Sequence, residues 1–179
     1  KAELQFWEVF SNVDVQNYLL QADSKVAEML KDDTTQEKDS VQQDDIDSLL
    51  DDDKDSTAVQ RKSLFTYLNI NFAQSEQQKS SVVGQAKVTD TAMVNKLLND
   101  RELLSLRPQE LRYTKFLWDY KPVPGVDGEE YLSIYAIKGN RKDEAPIQGD
   151  VIVNASQEFG QTNKPEVSMT MNANGTTKW

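Results

Sequence analysis

The feature that most restricts this chain lies between residues 32 and 55, where eleven acidic side chains from Asp32 to Asp55 face two basic ones, Lys38 and Lys54. A stretch so charged and so poor in apolar groups buries too little surface to offset the entropy of ordering it. The composition predicts a long acidic flexible loop over 32–60, with one helical turn marked by Ile46, Leu49 and Leu50. Any hydrophobic core must come from the flanks. With that segment set aside, the rest of the chain carries 18 basic and 19 acidic residues, so an almost neutral body bears one acidic insertion.

At 179 residues the chain has the length of one domain with a real core. The expectation is one fragmentary domain over 1–179 with the acidic insertion inside it. It starts at Lys1, stops at Trp179 within a structural unit, and reads as a piece cut from a larger protein. A formal charge of −10 with no basic cluster argues against nucleic acid and against anionic lipid surfaces, both of which are held chiefly by Lys and Arg. No apolar run approaches the roughly 18 residues of a membrane span.

The flanks carry clear periodicities. Glu3 to Phe10 reads as a strand. From Val13, the residues Val15, Tyr18, Leu19, Ala22, Val26, Met29 and Leu30 recur at helical spacing, predicting an amphipathic helix that ends near Lys31 and is capped by Asn12 or Asp14. Residues 63–72 are apolar enough to dock on the body, but their spacing fits helix and strand alike. Val82 to Val88 reads as a strand, followed by a helix capped at Asp90 or Thr91 and a helical turn from Glu102 that stops before Pro108. Strands are expected over 113–120, 131–137 and 151–159, the first two joined by a long turn containing Pro122, Pro124, Gly125 and Gly128. The last, Pro165 to Met171, alternates Val167, Met169 and Met171 with Ser168 and Thr170, which predicts one buried face and one wet face. The fold class is α+β: an antiparallel or mixed sheet with about two helices on one face.

Chemistry finds little to work with. There is no histidine and no cysteine, so histidine triads, thiolate nucleophiles and the commonest transition-metal ligands are all excluded. No glycine-rich phosphate loop occurs. Asp51, Asp53 and Asp55 match the first half of a calcium loop, but Ser56 replaces its glycine and Lys62 its closing glutamate, so no metal site is assigned. The expectation is no catalytic residue, no cofactor and no metal; a carboxylate-dependent hydrolase would need two acids fixed in a cleft of the folded body. The aromatic set Phe6, Trp7, Phe116, Trp118, Tyr131, Tyr135 and Trp179 fits core filling better than a grasping surface.

The C-terminal third holds an ordered series of short motifs. Gln148-Gly149-Asp150-Val151 opens a strand, Phe159-Gly160-Gln161 makes a turn, and Pro165-Glu166-Val167-Ser168 starts a strand running to Asn172, with Gly175 and Trp179 beyond. This series resembles the signature of SecD, a protein-export translocase subunit, and Leu4-Gln5-Phe6 resembles the Leu-Glu-Phe strand that precedes it there. The long connection between the two blocks resembles the fused SecDF of Bacteroidetes-type bacteria. Asn172 would then cap a helix, although Asn174-Gly175 alone suggests a hairpin turn.

The resemblance implies a non-enzymatic domain, the head-type part of the first periplasmic region, on the periplasmic side of the inner membrane. It implies transient binding of unfolded preprotein, partnership with the Sec channel and the SecF half, and motion driven by the proton gradient through membrane helices that lie outside this sequence. The isolated piece is expected to be monomeric. Strand addition at an exposed edge would place the polypeptide contact at Leu132, Ser133, Ile134 and Tyr135 or at Val151 and Val153. The alternative is a periplasmic scaffold with a permanent protein partner, which a large exposed apolar patch would favour.

Overall fold

The computed structural model describes residues 3–36, 62–161 and 163–179. Most of the acidic segment, the half-match to a calcium loop up to residue 61 and the turn marked by Ile46 therefore lie outside the described residues. In chain order the strands are β1 (Gln5–Phe6), β2 (Val9–Phe10), β3 (Asn69–Ile70), β4 (Val82–Lys87), β5 (Lys115–Trp118), β6 (Val123–Pro124), β7 (Glu130–Ile137), β8 (Ile147–Gln148), β9 (Ile152–Phe159) and β10 (Pro165–Met171). The helices are α1 (Asn12–Gln36), α2 (Leu64–Tyr67), α3 (Thr91–Leu98), α4 (Arg101–Ser105) and α5 (Ala173–Lys178). The fold is α+β with antiparallel pairing, as the periodicities predict.

The packing groups the chain into two compact units. Unit 1 comprises residues 1–9, 113–115 and 137–179; unit 2 comprises 10–112 and 116–136.

Unit 2 is built on α1. Its predicted stripe is the observed one: Val15, Tyr18, Leu19, Ala22 and Val26 are buried, with Met29 and Leu30 packed against the same core. The helix runs five residues past Lys31 to Gln36, since no glycine or proline stands there to stop it. Its start is also shifted from expectation. Ser11 caps it: the Ser11 hydroxyl accepts from the Asp14 amide, and the Asp14 carboxylate accepts from the Ser11 amide at 2.8 Å, a reciprocal capping box. Asn12 does other work. Its buried side chain accepts from the Ser80 amide at 2.9 Å and donates to the Asn71 carbonyl at 2.9 Å, tying the 71–80 loop to the helix.

The ambiguous segment 63–72 is helix and strand in succession, α2 then β3, which is why its spacing fits both. Strand β4 lies between β3 and β7 in the sheet order β2-β7-β4-β3, with β5 and β6 also on β7. Gly84 sits where the β3 backbone crosses: a Cβ there would lie 2.6 Å from the Asn69 carbonyl oxygen. Helix α3 closes the core with Val94, Leu97 and Leu98, while Met93 stays exposed. The Arg107 guanidinium lies over the rings of Tyr18 and Phe116 and donates to the Leu98 carbonyl at 3.1 Å, joining α1, the end of α3 and β5.

Unit 1 has a smaller buried set, chiefly Ala145, Ile147 and Val151 with Gly175. Strand β1 pairs with β8, Phe6 opposite Ile147. The expected single strand over 3–10 is broken at Trp7–Glu8 into β1 and β2. Asn172 caps α5 as the resemblance implies, its Oδ1 accepting from the Gly175 amide at 2.9 Å.

Candidate polypeptide-contact site

The two stretches proposed for strand addition meet different fates. On β7, Tyr131 to Leu132, Ser133, Ile134 and Tyr135 pair with β4 along one edge. On the opposite edge β6 pairs at Tyr131, and the Asp119 amide donates to the Ser133 carbonyl at 2.8 Å. The expected exposed edge is therefore filled across these residues, because the Pro122–Gly128 turn folds the chain back alongside β7. Ile134 is fully buried, and the Ser133 hydroxyl accepts from the Gln85 side chain.

The turn itself is held by Asp127, whose carboxylate accepts from the Tyr131 hydroxyl at 2.7 Å and from the Glu129 amide at 3.1 Å. The Tyr131 bond holds the Asp127 carboxyl below the usual carboxylate range, and the same bond raises the Tyr131 hydroxyl. Partial burial, then the Asp119 charge, raises the Tyr135 hydroxyl.

The second stretch remains open. The turn Gly149–Val151 opens on the Gly149 amide, which donates to the Leu4 carbonyl at 2.8 Å. Val151 is buried, so it anchors the strand and presents no contact surface; the Asn172 amide donates to its carbonyl at 2.9 Å. Helix α5 comes close enough that a Cβ on Gly175 would lie 2.8 Å from the Val151 Cβ. From this base β9 and β10 run out as a two-stranded hairpin, Phe159 opposite Pro165, Gln157 opposite Val167 and Ala155 opposite Met169 on one face. Glu158 opposite Glu166, Ser156 opposite Ser168 and Asn154 opposite Thr170 make up the other face. At the root the register slips at Val153, between the Asn154–Thr170 and Ile152–Met171 pairs.

Among the described residues β9 pairs only with β10, and the outer edges of both strands are free. Here the alternation misleads. Of the face predicted to be buried, Val167 is about two-thirds exposed and Met169 43% exposed, and only Met171 at the root is partly covered; Val153 and Phe159 on β9 are likewise about two-thirds exposed. Alternation shows that a strand has an apolar side; burial also requires an element lying across that side.

The aromatic set divides. Phe116 and Trp118 pack on the core of unit 2, and the Trp118 indole donates to the Asn95 side chain at 2.9 Å. In unit 1, Phe6, Trp7 and Trp179 line a cleft of about 390 Å³ together with Pro146 and Ile147, with Phe6 and Trp179 edge to face at 5.8 Å. The Lys115 ammonium lies over the Trp7 ring. The sequence lists these aromatics but contains no signal that brings Trp179 to Phe6. Among the described residues no acidic cluster is arranged to hold a metal ion, and no helix is long and apolar enough to cross a membrane.

The chain is 40% identical over 98 residues to the protein translocase subunit SecD of Rhodothermus marinus. Over those residues the chain is similar to a SecD. The matched stretch makes up 55% of the chain and 15% of that much longer relative. No family model matches the chain. No solved structure matches it either. The similarity to a SecD thus spans more than half of the chain and agrees with the resemblance read from its short motifs.

Proposed function

We propose that this chain is a non-enzymatic, periplasmic part of a SecD-type export subunit that holds unfolded preprotein transiently while the parent protein moves under the proton gradient. The similarity to SecD carries this reading. The contact is assigned to β9, with Val153 and the free outer edge beyond it, since the edge of β7 is occupied at Ser133 and Val151 is buried. An extended polypeptide added there would gain backbone hydrogen bonds from the edge and apolar contact from the open face. Its partners through the parent protein are the Sec channel and the SecF half. The working site is the periplasmic side of the inner membrane.

The test places a photo-crosslinking side chain in the full-length membrane protein at Gln157 or at Ser133, with a preprotein stalled during export. Capture from Gln157 and none from Ser133 is expected. Capture from neither, in a protein that assembles and supports export, removes the polypeptide-contact role.

A second reading, a scaffold with a permanent protein partner, is favoured by the exposed apolar face of the hairpin, a surface of the kind that marks interaction sites. In that case Gln157 captures one constant protein whether or not a preprotein is in transit.

A further inference from the structure

We draw no further inference here: the strongest candidate, the exposed apolar face of the β9–β10 hairpin around Phe159, Val167 and Met169, belongs to the site already described, and nothing in the structure shows what covers it.

Discussion

The apolar stripe of α1 and the apolar face of β9–β10 begin from the same kind of pattern. On α1, Val15, Leu19, Ala22 and Val26 are wholly removed from solvent, within a core that also takes in Leu64, Val83, Val94, Leu98 and Ile134. On the hairpin, Phe159 and Val167 keep about two-thirds of their surface in water. A two-stranded hairpin is marginal alone in water, and this one is held at its root by Val151, Asn172 and Gly175. The comparison teaches that the larger buried core lies in unit 2, while the apolar face of the hairpin in unit 1 stays open to solvent.

Substitutions can break that contrast. The largest effect is expected for Leu98→Ala, which opens a cavity in the unit 2 core and should cost about 2–5 kcal/mol in denaturant unfolding. A cost under about 1 kcal/mol would mean that unit 2 is far looser than its burial indicates.

In unit 1, Gly175→Ala pushes a methyl group into Val151 and should cost about 1–3 kcal/mol of overpacking. The reading is faster amide exchange at Thr176 and Trp179, whose N–H groups donate within α5. Unchanged exchange at both would mean that the close approach of α5 to Val151 does not hold the hairpin root.

Val167→Ser on the open face should change the stability of the isolated chain by no more than about 0.5 kcal/mol, because little burial is lost. A cost of several times that would show that the face is covered in solution. The same substitution sharpens the functional side of the comparison, since it should weaken crosslinking from Gln157 while leaving unfolding unchanged.

The smallest effect is one of pH, at the Pro122–Gly128 turn. A carboxyl lowered in the folded state contributes stability above its unfolded pKa and loses it as pH falls through the folded value, so the Asp127 contribution disappears only below the usual carboxylate range of about 4. The raised Tyr131 hydroxyl works in the opposite sense: its contribution is complete below the usual tyrosine value of about 10 and is lost as pH rises through the folded one. The Glu129 amide resonance, bonded to Asp127, should therefore stay constant between these limits and shift outside them. A shift near neutrality would mean that another group holds the turn.

Much of the architecture was legible in advance, and for a common reason. The α1 stripe and the stop before Pro108 express forces acting within a few residues, whereas the cap at Asn172 was legible only through the likeness to SecD. The missed features are nonlocal. Ser11 displaces Asn12 as the cap because the Asn12 amide is needed by Ser80 and Asn71, some sixty residues away. The edge of β7 is closed by Asp119 and β6, and the aromatic cleft forms only when Trp179 reaches Phe6.

From its residues alone the chain declares most of its elements and its lack of histidine and cysteine chemistry, because composition, capping and periodicity are local properties, and its ordered short motifs carry the likeness to SecD. Tertiary structure alone decided which apolar sides are covered. Val83 and Ile134 are buried and Val167 is not, although all three sit in strands with similar patterns, because a side chain leaves water only where a distant part of the chain packs over it.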